Sequence, residues 1–245
     1  MTPHRSWLLL LCLVFSFIAQ AQVDEIKRKS SEYSGKKGSG SSSDGGGSGG
    51  SEFYIELVAH SINGLVNVQQ HTLKKKATNP TIISLDVFLQ TAIQPSGYYI
   101  IHPRIRGNWG LFSTDFRFNY LIEEDPDGVK YLRTDDWQII QLNLLTLKNF
   151  TFRLGAGVIH EQYSGGKTFT EWTAGLHVNS NRLHIGAMTE YRWSIPRDEW
   201  SGQVQYRILQ AGKMNWYATG GIVFQRYYEA INVWGMQAGI MLKVF

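Results

Sequence analysis

Residues 235–245 read "GMQAGIMLKVF", and together with Trp234 they decide the fold. Counting back from Phe245, the residues Val244, Leu242, Ile240, Ala238, Met236 and Trp234 are apolar without exception. Between them stand Lys243, Met241, Gly239, Gln237 and Gly235, a small and partly polar set. Period-two alternation is the mark of a β-strand, because successive side chains point to opposite faces of a sheet. One face of this strand is greasy from end to end, and the other is not.

Working outward, the alternation recurs along most of the chain after Pro80. In "NFTFRLGAGV" (149–158), Phe150, Phe152, Leu154, Ala156 and Val158 share a face opposite Thr151, Arg153, Gly155 and Gly157. In "RLHIGAMTEYRW" (182–193), Leu183, Ile185, Ala187, Tyr191 and Trp193 oppose Arg182, His184, Gly186, Glu190 and Arg192. In "STDFRFNYLI" (113–122), Phe116, Phe118, Tyr120 and Ile122 oppose Asp115, Arg117 and Asn119. A soluble sandwich buries its apolar face and wets the other. Segments of about ten residues with aromatics near their ends instead suit a transmembrane barrel, apolar outside and polar within. Ten such segments are expected, near 81–92, 98–109, 111–122, 137–145, 149–159, 168–178, 182–193, 200–209, 214–227 and 232–245. Tight links at Gly110, Leu147, Ser180 and Ala211 alternate with longer ones at 93–97, 123–136, 161–167 and 194–199; the 228–231 link is an exception. Such alternation fits a barrel with short turns on one side of the membrane. An open edge would leave backbone groups unpaired in hydrocarbon, so the sheet must close.

The bulk numbers agree. Among 245 residues there are eight Trp, twelve Tyr and twelve Phe beside 25 Gly, a balance that favours β structure. The formal charge of +4 is weak and dispersed, and no arginine-rich arm or RNA-binding aromatic motif is present, so nucleic acid is not an expected partner. Residues 1–21 read as a secretory signal peptide: Arg5, an apolar run from Trp7, then Ala19-Gln20-Ala21, with the cut expected after Ala21. The only cysteine, Cys12, lies inside that run, and the exported chain then has none. Residues 22–51, rich in Gly, Ser and charge, are expected to form a disordered linker, with ends roughly 30 Å apart as a coil. Residues 52–76 read either as an amphipathic helix or plug, from the spacing of Ile55, Val58, Ile62 and Leu65, or as two further strands. The barrel is expected over 77–245, with ten strands, or twelve if 52–76 adds two.

From Pro80 to Phe245 the chain resembles small Gram-negative outer-membrane β-barrel proteins. The resemblance rests on the signal peptide, the ten alternating segments and a last strand ending on Phe245. It implies an integral outer-membrane protein, porin-like in architecture, with both termini in the periplasm. It also implies that the barrel-assembly machinery reads the final strand, with Trp234, Met236, Ile240, Leu242, Val244 and Phe245 as the insertion signal. In that class the apolar residues usually share the face of the final aromatic; here Lys243 and Gln237 hold that face.

Charges facing lipid are costly, so the lumen is expected to hold Asp86, Arg104, Arg106, Asp115, Arg117, Arg153, Glu171, Glu190, Arg192 and Arg207. Tight turns would set His102 opposite Asp115, His177 opposite His184, and Glu171 opposite Glu190. A zinc site needs more ligands than the two histidines supply, so no metal or cofactor is expected. No catalytic set is evident. His177 and Ser180 lie three apart, on opposite strand faces, and the acidic runs Glu123-Glu124-Asp125 and Asp135-Asp136 have no nearby histidine. These acidic residues read as a solvated loop, or as a site for divalent cations bridging surface lipids. The expected function is a structural or accessory barrel that contacts outer-membrane lipid and docks another envelope protein. The alternatives are a narrow channel for small anions or a lipid-modifying or proteolytic barrel enzyme.

Overall fold

The computed structural model describes residues 22–36, 69–74, 82–94, 97–125, 128–147, 149–163, 165–180 and 183–245. The expected signal peptide therefore lies outside the described residues, as does the linker beyond residue 36. Of residues 52–76, the stretch 69–74 is described and is helical.

Two described helical stretches, 22–36 and the short 69–74, precede ten strands. Helix α1 spans Gln22–Lys36. The strands are β1 (Ile83–Gln94), β2 (Tyr98–Trp109), β3 (Phe112–Asp125), β4 (Gly128–Leu147), β5 (Phe150–Glu161), β6 (Lys167–Ser180), β7 (Ile185–Ser194), β8 (Arg197–Ala211), β9 (Met214–Tyr227) and β10 (Ile231–Val244). Each strand pairs antiparallel with its chain neighbours, and β10 returns to β1, so the sheet is a closed barrel. The closing seam runs from Leu85↔Val244 to Ile93↔Met236. The terminal strand therefore aims Trp234, Met236, Ile240 and Leu242 outward, and Gln237, Met241 and Lys243 inward. A strand of twelve residues such as β1 is about 40 Å long, or about 30 Å of height at a tilt near 40°.

The partition of side chains is inverted relative to a water-soluble protein. Among the described residues, 33 buried side chains are polar or charged and 19 are hydrophobic, whereas 32 large hydrophobics are exposed. Soluble monomers rarely expose a continuous apolar surface of that kind. Aromatics gather at particular heights of the outer wall: Tyr191 stacks with Trp193 at 5.5 Å, and Trp200 lies 5.9 Å from Phe224.

The two mouths differ. The near mouth carries the start of β1, the Gly110 turn and Phe245, whose N–H donates to the Lys213 carbonyl at 3.0 Å. Gly110 has φ +69°, which a side chain would strain, and Gln69 caps this turn by accepting from the Leu111 N–H at 2.6 Å. The far mouth carries the links after β1, β3, β5, β7 and β9. At the last of these, Tyr228 and Glu229 both adopt positive φ (48° and 58°), the backbone of a tight hairpin whose twist matches its strands.

Helix α1 closes the far mouth. Its spacing predicts the seating: Val23, Ile26 and Ser30 lie on one face and are fully buried. They rest on Ala92, Tyr98, Ile100, Leu121, Leu132 and Val233 from five strands around the barrel. Glu123 receives the first free helix amides, Gln22 N–H at 3.1 Å and Val23 N–H at 2.9 Å, satisfying donors that a helix start leaves orphaned. Asp24 and Glu25 in the first turn add favourable charge there. The outer face is charged, with Arg28 reaching Glu25 and Glu32. Composition had assigned residues 22–36 to the linker. They are a helix because four residues at i, i+3, i+7 and i+10 (Val23, Ile26, Ser30, Tyr33) supply a face that packs.

Two further expectations change. The link read at 123–136 is a short turn between long strands, since β3 and β4 continue in register to Asp125↔Gly128. The link read at 194–199 shrinks likewise, because β8 begins at Arg197. Strand β4 also shifts register between Trp137 and Ile140, where it crosses Gly157 of β5. A Cβ on Gly157 would lie 2.1 Å from the Trp137 carbonyl oxygen, so only glycine permits this approach.

Candidate functional site

Among the described residues, chemistry-bearing side chains converge in the lumen, which is built in tiers. Near the Gly110 mouth, Asp86 accepts from Asn108 Nδ2 at 3.2 Å and lies 3.5 Å from Lys243 Nζ. Above it, Asp115 and Glu190 are clasped by three arginines. Arg106 Nη2 donates to Asp115 at 2.7 Å and to Glu190 at 2.6 Å. Arg104 bonds the same two carboxylates, with Nε 2.9 Å from Asp115 Oδ1 and Nη2 2.7 Å from Glu190 Oε2. Arg192 joins through Nε, 2.7 Å from Glu190.

The next tier holds Asp136, Glu171 and Glu199. Arg117 reaches Asp136 at 2.5 Å and also bonds Glu199. Arg197 bonds Asp136 and lies 3.4 Å from Glu171, while Gln138 donates to Glu171 at 2.6 Å. Beyond this tier Gln225 bridges Glu199 and Asn119 at 2.8 and 3.0 Å, and Tyr227 donates to Gln225 at 2.9 Å. The apolar layer under α1 then seals the tube. Every charge in these tiers except Arg153 meets an opposite charge, as burial away from water demands.

Little space remains. Among the described residues the lumen holds small cavities, one of about 20 Å³ beside Asp86, Arg153 and His177 and one of about 10 Å³ beside His102, Arg104 and Glu199. Each has room for roughly one water. At the far mouth Glu161 accepts from three hydroxyls: Tyr163 at 2.7 Å, Tyr228 at 2.6 Å and Ser30 of α1 at 3.0 Å. Burial, then the adjacent Glu161 carboxylate, holds the Tyr163 phenol well above its usual value; burial and the bond to Glu161 raise Tyr228 too. The largest depression, about 860 Å³, lies outside the wall between Tyr33 of α1 and Phe169, Trp172, Trp193 and Tyr228.

The structure places Asp86, Arg104, Arg106, Asp115, Arg117, Arg153, Glu171, Glu190 and Arg192 together inside the barrel. Arg207 stands apart, half-buried at the near rim and bonded to His184 Nδ1. Asp115 faces Arg106 rather than His102. His177 lies opposite Met188, Glu171 opposite Ser194 and Glu190 opposite Gly175. The reason is the turn: pairing starts at Ser180↔Ile185, so four residues intervene where a two-residue turn was expected. The paired imidazoles and paired carboxylates therefore do not form, and no group of three metal-binding side chains occurs among the described residues. His177 and Ser180 take different strand partners, Met188 and Ile185, and do not assemble into a hydrolase dyad.

Sequence reasoning missed Asp136, Arg197 and Glu199, three central members, because all were assigned to loops. Their alternation was available: Thr134, Asp136 and Gln138 are buried at period two, as are Arg197 and Glu199. Glu123 was likewise assigned to a solvated acidic loop but is buried as the seat of α1. Compared with known protein families, curated proteins and solved structures, the chain matches none.

Proposed function

We propose that the protein is an integral outer-membrane β-barrel with a structural or accessory role, docking another envelope protein. One observation carries this reading: a closed wall with 32 large hydrophobics outside and a charge-paired interior has the polarity that lipid, not water, rewards. The membrane lipid would contact the outer apolar band, and the barrel-assembly machinery would receive β10. Interior cavities of about 20 and 10 Å³ argue against the channel alternative, since a conduit needs a continuous aqueous path. The scattered His177 and Ser180 argue against the enzyme alternative.

With Phe245 in the periplasm, the start of β1 lies there too, and the opposite mouth faces outward. The outer mouth is then the natural docking face for the envelope partner. The decisive experiment is mobility of washed outer membranes on a detergent gel before and after boiling. A folded band that shifts on heating is the expected result, and a mature chain recovered in the soluble fraction would refute the reading. A sole, unpartnered monomer after mild detergent purification would reject the accessory role.

A further inference from the structure

Among the described residues, the lumen below the apolar layer is not electrically balanced. Six guanidiniums and Lys243 face six carboxylates there, Asp86, Asp115, Asp136, Glu171, Glu190 and Glu199, so 7 − 6 leaves one positive charge. Glu123 and Glu161 lie beyond the apolar layer, satisfied by helix amides and hydroxyls, and do not offset it. The surplus has an address. Five arginines are ion-paired, whereas Arg153 is 5 % exposed and its Nη1 is buried without a partner. A guanidinium cannot shed its proton, and an uncompensated buried charge is among the costliest features a fold can carry.

Arg153 lines the cavity of about 20 Å³ near the Gly110 mouth. Beside amide and hydroxyl side chains such as Asn108 and Thr146, His177 and Lys243 also line it. His177 Nε2 is buried without a partner, and Lys243 is engaged only at 3.5 Å by Asp86, which lines the same cavity. A water there would answer the hydrogen bonds and leave the charge. A polyatomic anion such as phosphate exceeds the space, which suits about one water-sized sphere. We infer that this cavity binds a single chloride-sized anion, held by Arg153 and Lys243 with His177 donating from Nε2. The inference rests on the fold and not on membrane location, so it stands or falls apart from the proposed role.

The test is thermal unfolding of the folded barrel in uncharged detergent, titrated with sodium chloride against sodium gluconate at equal ionic strength. Chloride should raise the midpoint by a few degrees in a saturable way that gluconate does not reproduce, since stability gained by a bound ligand follows its occupancy. Arg153→Met should abolish the chloride response. Equal responses to both salts, or a chloride response retained by Arg153→Met, would overturn the inference. Should that variant not fold, the ³⁵Cl linewidth decides: saturable broadening by the native protein, reversed by bromide, supports the site, and bulk-like linewidth refutes it.

Discussion

Arg192 and Arg153 offer a matched pair of perturbations. Each replacement by Met removes one buried positive charge, keeps similar length and leaves an apolar tip in the same lumen. A count of charges alone predicts equal effects, and even a slight gain, because either variant brings the interior to neutrality. The contacts predict otherwise. Arg192 lies 2.7 Å from Glu190, 3.3 Å from Glu171, 3.4 Å from Asp115 and 3.8 Å from Asp136, tying the two tiers together. Removing one partner from a buried ion pair costs about 3–5 kcal/mol, because the other is left desolvated and unmet. At about 2–4 °C per kcal/mol for a domain of this size, Arg192→Met should lower the unfolding midpoint by roughly 6–20 °C. Arg153 makes no ion pair among the described residues, so Arg153→Met in chloride-free buffer should not lower stability and should raise it if anything. The eight tryptophans give a fluorescence signal for heating in detergent, with gel mobility as a second readout. Equal losses in the two variants, or a drop below about 2 °C for Arg192→Met, would refute the claim that pair geometry governs this interior.

Other consequences can be measured directly. Ile26→Asp places a charge in the sealed face of α1 and should free the helix, seen as rapid proteolysis between α1 and the barrel while the barrel band persists. Gly157→Val meets the Trp137 carbonyl and should prevent folding into the heat-modifiable form, whereas Gly212→Ala at an open turn should still fold. Replacing Glu229 by Gly removes a side chain from a positive-φ turn residue and should raise stability by about 0.5–1 kcal/mol in a urea titration. The raised phenols of Tyr163 and Tyr228 favour the folded state below their ordinary value of 10.0. That contribution fades as pH rises through the folded values above it, so α1 should become protease-sensitive in strong alkali before the barrel unfolds.

The wall was legible because its outer face and its lumen impose opposite demands on neighbouring residues, and period two records both. Trp234 through Val244 point outward in alternation just as their spacing predicts. Register was harder to read. It depends on turn length, and "NSNRLHI" carries no signal separating a two-residue turn from a four-residue one, so Glu171 and Glu190 were set face to face. The ends of strands misled for another reason: Pro196 and the acids around Asp125 and Asp136 look like loop chemistry. Here the strands continue into a charge-lined interior, where such residues find partners. In α1, Val23, Ile26, Ser30 and Tyr33 already held the spacing of a packing face, hidden by the glycine-rich residues that follow.

The tiers also bear on the order in which the chain can become native. Arg104 and Glu190 are 86 residues apart, and Arg117 and Glu199 are 82 apart. A nascent chain that has completed β2 and β3 holds three arginines with only Asp115 to meet them; Asp136 follows with β4, and Glu190 and Glu199 arrive only with β7 and β8. A half-built cylinder holds only part of its interior pairing, and long-range closures of this kind are slow to nucleate. Ripening should therefore be abrupt, and a prematurely terminated chain should look to the cell like an unfolded one, ready for destruction rather than stranded as a partial shell.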